Sequence, residues 1–367
     1  MKNVVFKIFF VFFVSILNNV SAENSLDSAN SKAPQINLSG FLDVYYAYDF
    51  NRPTTDYRQT FLYNHNRHNE FNLNLGYIKL NAVHAKYRAN IALQAGTYAN
   101  DNYVAEPGLL KNIFEANAGV AINKKNNLWL DAGVFASHIG FESAVSSDNF
   151  TLTRSLLAEN SPYYLSGAKI TYEPNHNFDF ALIVCNGWQR IRRVAGNSLP
   201  AFGTHINYIA NDKISFVWSS FVGTDDPDSL RRMRYFNDLF AKFQVTKKLS
   251  LITGCDIGFQ QKARFSSDYN SWFTPIVIAK YAVSSKYSVS VRGEYFNDKN
   301  GVIIGTGTIN GFQTTGASIN FDYAPTDKIM CRIEARGFNS KDAIFNKQNS
   351  VVNTNAFVIG SIAIKLE

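Results

Sequence analysis

Two kinds of side-chain arrangement in this chain could do chemistry: local clusters with the look of a reactive site, and charges repeated at every second position. The first kind thins out quickly. In Asn64 to Glu70 (NHNRHNE), His65, His68 and Glu70 stand close enough in sequence to share a metal ion. The segment is polar and holds no cysteine, so no metal is assigned to it. Ser137-His138 has the types of a nucleophile and its base, but neighbouring residues of an extended chain project to opposite faces. A nucleophile needs its base within hydrogen-bond reach. Gly305, Gly307 and Gly311 do not have the spacing of a dinucleotide-binding turn. No catalytic residue, metal or cofactor is assigned, and the chain reads as a non-enzyme.

The second kind is systematic. Arg332, Glu334 and Arg336 alternate with Ile329, Cys331, Ile333 and Ala335. Lys86 and Arg88 alternate with Ala85, Tyr87 and Ala89, and Arg292 and Glu294 follow the same rule. A period of two places the charges on one face of a strand and the apolar residues on the other. A charge facing lipid at the bilayer midplane costs about 2–4 kcal/mol, so the charged face belongs to a water-filled interior.

Such segments recur about sixteen times, beginning near Ile36, Phe71, Ala85, Ile113, Leu128, Tyr164, Phe178, Phe202, Ile214, Tyr235, Leu249, Trp272, Tyr287, Thr315, Ile329 and Thr354. The connectors alternate in length: short turns such as Pro174 to Asn177 and Pro325 to Lys328 exchange with long loops that begin near Asn51, Asn100, Gly140 and Gln189. This rhythm predicts an all-β, transmembrane, antiparallel up-and-down barrel, with short periplasmic turns, long extracellular loops and both ends in the periplasm. Phe71, Leu73 and Leu75 change phase to Ile78 and Leu80 around Gly76, where a bulge is expected.

The rest of the composition fits. A mean hydropathy of −0.15 conceals lipid-facing residues that occupy alternate positions. Aromatic content is 14%, enough for rings at both interfaces, with Tyr172, Phe178, Tyr208 and Tyr281 beside the short turns and Tyr46, Tyr164 and Tyr235 at the loop end. The formal charge of +7 is dispersed, which argues against nucleic acid as a partner and leaves outer-membrane lipid. Lys2 and Lys7, the apolar run Ile8 to Leu17 and Val20-Ser21-Ala22 read as a signal peptide over residues 1–22, cleaved near Ala22. Residues 23–34 read as a polar periplasmic lead-in and residues 35–367 as the barrel. Cys185, Cys255 and Cys331 fall at least four strands apart, too far for a disulfide.

A barrel of this size is too wide for wall side chains to fill. The longest connector, Ser137 to Tyr164, carries Glu142, Asp148, Arg154 and Glu159. If it enters the lumen, its acids face Lys86, Arg88, Arg292, Arg332 and Arg336 across a narrow gap, with Glu294 and Glu334 as opposing wall acids. Phe41, Tyr45, Phe296, Phe338 and Phe357 point inward from strands that adjoin once the barrel closes. They could form an aromatic slide for sugar rings or pack against an inserted loop.

Five segments resemble a known family: YYAYDFNRP (Tyr45 to Pro53), NEFNLNLGYIKL (Asn69 to Leu80), LWLDAGVFASHIGFESA (Leu128 to Ala144), SLLAENSPYYLSGAKITY (Ser155 to Tyr172) and NGWQRI (Asn186 to Ile191). They are similar to the OmpL-like β-barrel porins. The resemblance implies a bacterial outer-membrane channel for small hydrophilic solutes, narrowed, as in general porins, by the loop at about 140–163. General porins are often trimers, so a homotrimer is in view. An oligosaccharide-selective porin, and a surface adhesin or enzyme anchored by its barrel, are the alternatives. The last strand stops at Glu367 without the terminal aromatic that many such barrels carry.

Overall fold

The computed structural model describes residues 33–366. The expected signal segment and the lead-in as far as residue 32 lie outside the described residues.

The strands are β1 (Gln35–Asp49), β2 (Phe71–Val83), β3 (Tyr87–Ala95), β4 (Ile113–Ala121), β5 (Leu128–Ala136), β6 (Tyr164–Asn175), β7 (Phe178–Cys185), β8 (Ala201–Asn211) and β9 (Ile214–Gly223). They continue with β10 (Arg234–Gln244), β11 (Leu249–Gln261), β12 (Tyr269–Ala282), β13 (Tyr287–Asp298), β14 (Phe312–Tyr323), β15 (Ile329–Ser340), a loop hairpin of β16 (Phe345–Lys347) and β17 (Ser350–Val352), and β18 (Thr354–Leu366). Sixteen of them form one closed antiparallel barrel in which each pairs with its sequence neighbour, β18 following β15. Closure comes from β1 against β18, in register from Gly40 with Leu366 to Asp49 with Phe357. A closed ladder leaves no strand edge unpaired, the condition for a sheet to cross lipid. Every barrel strand begins within three residues of its expected start.

Alternation decides the two faces. On β1, Ile36, Leu38, Leu42 and Val44 are exposed outward, while Phe41, Asp43, Tyr45 and Ala47 are buried inward. The change of phase on β2 arises at Asn74 rather than at Gly76. Asp43 pairs with Leu75 and Val44 with Leu73, which makes Asn74 the extra residue. Its side chain turns inward to accept from the His65 N–H at 2.9 Å and to donate to Asp43 at 3.2 Å. Leu75 is therefore buried on the inner face, not outward as the sequence pattern suggested. Tyr164, expected in the lipid-facing girdle, is covered by Tyr103, the two rings stacked at 3.9 Å.

Candidate functional site

The connector between β5 and β6 enters the barrel. Its root is fixed on β9 and β10: Ser219 Oγ donates to the His138 carbonyl at 2.7 Å, and the Gly140 N–H donates to Asp238 at 2.9 Å. Its middle crosses to the far wall and binds there through its own backbone. Arg332 donates to the carbonyls of Ser146 (2.5 Å) and Asn149 (3.1 Å), Arg292 to the carbonyl of Thr153 (2.7 Å) and Arg336 to that of Arg154 (2.6 Å). The acids take the N–H groups: Glu334 accepts from Thr153 at 2.6 Å, Glu294 from Leu156 at 2.6 Å, and the amide oxygen of Asn320 from Leu152 at 3.0 Å. The charged inner faces of β13 and β15 thus complete the hydrogen bonding of an irregular backbone, as burial of such backbone requires. A helical turn, Leu156–Glu159, follows, capped by Ser155, whose Oγ accepts from the Ala158 N–H at 3.1 Å.

This geometry corrects the expected gap between loop acids and wall cations. The side chains of Arg292, Arg332 and Arg336 are fully buried and in contact with the loop. Glu142 folds back to accept from Ser155, from its N–H at 2.9 Å and from its hydroxyl, and stands 4.0 Å from Arg292. Glu159 accepts from the N–H groups of Tyr63 (2.9 Å) and Asn64 (3.3 Å), joining a second inserted loop. Asp148 pairs with Lys365 at 2.7 Å, and Arg154 lies 3.8 Å over the ring of Tyr163. Burial pushes the carboxyls of Glu142 and Glu159 above the usual range, against the opposing pull of Arg292 on the first and Arg154 on the second. Lys86 is not on the inner wall at all. It sits in the turn before β3 and donates to Asn126 at 2.7 Å.

A family model described as "Putative beta-barrel porin-2, OmpL-like" matches residues 35–366, nearly the whole chain. The chain belongs to the OmpL-like β-barrel porins. No curated protein matches it in sequence. Among solved structures it is similar to the outer-membrane channel DcaP of Acinetobacter baumannii, with a TM-score of 0.60 and 12% identity over 91% of this chain and 99% of that one. The anion-selective porin from Comamonas acidovorans gives a TM-score of 0.61 at 9% identity, over 91% of this chain and 100% of that one. Salmonella typhi OmpF in complex with daunomycin gives 0.56 at 11% identity, over 91% and 98%. At such identities these likenesses show the fold, and the family model supplies membership. The protein is an outer-membrane porin channel.

The aromatic slide is also corrected. Phe41, Tyr45, Phe296, Phe338 and Phe357 all point inward and all are buried. The connector between β1 and β2 covers several of them. Its Phe61 meets Phe312 at 4.8 Å and Phe338 at 5.9 Å, and its Arg58 lies 3.6 Å over the ring of Phe357. Phe345 of the β16–β17 hairpin adds to the same cluster, 6.1 Å from Phe338. Within that connector His65 is paired with Asp43 at 2.8 Å, and His68 accepts from the Asp49 N–H at 3.0 Å. The sequence reading missed this second insertion. Its one signal was Phe61-Leu62, an apolar pair in the middle of a long polar loop.

With the loop held at its root on β9 and β10 and at its middle on β13 to β15, hydrophilic wall residues remain on β1 to β5 and on β8 to β11. Four asparagines run in register around the first of these stretches. Asn37 donates to Asn81 (3.5 Å), Asn81 to Asn90 (2.5 Å), and Asn90 to Asn117 (3.0 Å). Beside them Lys79 pairs with Glu115 at 2.7 Å and Arg88 with Asp131 at 2.5 Å. A cavity of about 330 Å³ separates Lys79, Glu115 and Tyr77 from residues 136–145. Another, of about 540 Å³, lies among His205, Asn207, Lys242, Ser250 and Phe150 of the loop.

Proposed function

We propose that this porin passes small hydrophilic solutes by passive diffusion, along an off-centre route between the inserted loop at about 140–163 and the polar wall of β1 to β5. The observation that carries the reading is the docking of the loop's middle on β13–β15, across the barrel from its root on β9 and β10. Arg292, Arg332 and Arg336 hold that middle, while Lys79 and Glu115 line a cavity between the opposite wall and the loop, next to the asparagine row and the Arg88–Asp131 pair. In this reading Glu142, Arg154 and Glu159 hold the constriction's shape and Asp148 ties it to β18. The rings of Phe41, Tyr45, Phe296, Phe338 and Phe357 pack the inserted loops rather than guide sugars, so the oligosaccharide-selective alternative loses its motivating feature. Planar-bilayer recording on purified protein is the test. Stepwise open channels are expected, and an absence of conductance at all voltages would refute the proposal.

The same proposal holds that the chain acts as a channel and not as an enzyme, and that it reaches the outer membrane after cleavage near Ala22. It also holds that the chain assembles as a homotrimer. Ala82, Ala89, Ala118, Ala132 and Ala168 pair in sequence across β2 to β6 on the outer face, and a wall of such small side chains allows close approach of another barrel. Crosslinking in outer-membrane vesicles tests this, since a monomer band alone contradicts it.

A further inference from the structure

At the extracellular end of the barrel a polar cavity of about 210 Å³ lies between the ends of β10, β11 and β12 and the connectors at 224–233 and 299–311. Its lining includes Thr224, Asp225, Asp226, Arg232, Arg234 and Asn270. The three arginines and three aspartates around it balance in charge but share their hydrogen bonds unequally. Arg232 holds Asp226 through Nε at 2.8 Å and Nη2 at 3.0 Å. Asp225 accepts from the Trp188 N–H at 2.9 Å and lies 3.6 Å from Arg190. Asp298, on the neighbouring strand, is capped by the N–H groups of Val302 (2.8 Å), Ile303 (2.7 Å) and Ile304 (2.9 Å).

Arg234 forms no direct ion pair among the described residues, although Asp225, Asp226 and Asp298 lie close enough to act on it electrostatically. Its Nε and Nη2 both donate to the amide oxygen of Gln260, at 3.0 and 2.7 Å. Its guanidinium carbon stands 5.0 Å from the ring of Trp188 and 5.8 Å from that of Trp272. A guanidinium carries five N–H donors in a fixed fork, and one neutral oxygen on the Nε edge leaves the Nη1 edge unspent. That edge fits a planar oxyanion with two parallel hydrogen bonds. With Asp226 engaged by Arg232, Asp225 near Arg190 and Asp298 capped by backbone N–H groups, the charges balance, and what an anion would meet is the free edge of Arg234 rather than a net positive charge. Beside Arg234 the rings of Trp188 and Trp272 pack on Phe236, at 4.9 and 6.1 Å.

We propose that this cavity binds a small oxyanion, the carboxylate or phosphate of a solute arriving from outside, on the free edge of Arg234. The inference goes beyond the diffusion reading and does not depend on it, because binding is measured on detergent-solubilised full-length protein whether or not the channel conducts. Titration calorimetry at low salt with inorganic phosphate and, separately, acetate should show one saturable site, and the stronger of the two identifies the preferred group. Arg234→Gln should weaken it at least tenfold. Asp226→Asn, which frees Arg232 and removes a nearby negative charge, should tighten it several-fold. No saturable binding of either anion to the wild type, or equal binding by Arg234→Gln, overturns the proposal. Should Arg234→Gln fail to fold, Asp226→Asn decides, and unchanged or weaker binding there also overturns it.

Discussion

Arg292 reaches Glu334 across β14 at 2.7 Å, and the two side chains close on opposite sides of one residue of the inserted loop: the carboxylate takes the N–H of Thr153 and the guanidinium its carbonyl. An ion pair that also satisfies a buried peptide does two jobs, and removing one member leaves the other buried without its counter-charge. Breaking a buried pair in this way typically costs about 3–5 kcal/mol. Arg292→Ala is therefore expected to release the middle of the loop, raise single-channel conductance and lower the temperature of the heat-dependent mobility shift on gels. Unchanged conductance with normal folding would show that the loop stays docked without this pair.

The covered aromatic cluster gives a second expectation. Phe61 and Phe345 belong to loops, yet both are buried against Phe338 of the wall. Phenylalanine-to-alanine changes in a packed core cost about 3–5 kcal/mol. Phe345→Ala should lower thermal stability by that order. Phe41→Ala with Phe357→Ala should destabilise as well, while uptake of sugars in liposome-swelling assays still falls smoothly with their size. Saturable sugar uptake lost in the double variant would restore the slide.

The barrel was legible because its cause is local: each strand shows its two environments every second residue, and each turn declares itself through Gly, Pro, Asn and Lys. What fills the barrel was not, because inward charges such as Arg292 and Arg336 look the same in sequence whether they face water or a docked backbone. The same ambiguity hid the role of Phe338 and Phe357, whose inward direction followed from parity but whose cover, Phe61 and Arg58, comes from a loop nearly three hundred residues earlier. The bulge lies two residues before Gly76, the residue type that a bulge usually favours, because the amide of Asn74 is the hydrogen-bond partner of both His65 and Asp43, a tertiary contact with no local signal.

The loop carboxyls set an expected pH response. Glu142 and Glu159 are raised above the ordinary glutamate value of 4.5, chiefly by burial in the docked loop. Their contribution to docking is then present in full below that ordinary value and is lost as pH rises through the elevated docked values. Conductance should thus be lowest near pH 4.5 and increase toward neutrality. Glu142→Gln with Glu159→Gln should flatten this rise. A wild-type conductance that falls as pH increases over the same window would contradict the assignment.

Ion preference follows from which charges water can reach. The wall arginines are sealed under the loop, Lys79 and Arg88 are neutralised by Glu115 and Asp131, and Lys280 stands 3.5 Å from Asp322. Two lumenal lysines remain without a carboxylate partner among the described residues, Lys169 beside the ring of Phe135 and Lys242 beside that of Phe240. Against them stands Asp179, already 3.5 Å from His205. A low-dielectric wall focuses such a small excess. Reversal potentials under a KCl gradient should show slight anion preference, fading as the screening length shrinks to about 3 Å at 1 M salt. Lys169→Gln with Lys242→Gln should abolish it. Cation preference in the wild type would mean that acids such as Asp179 and Asp148 govern the narrow part of the route.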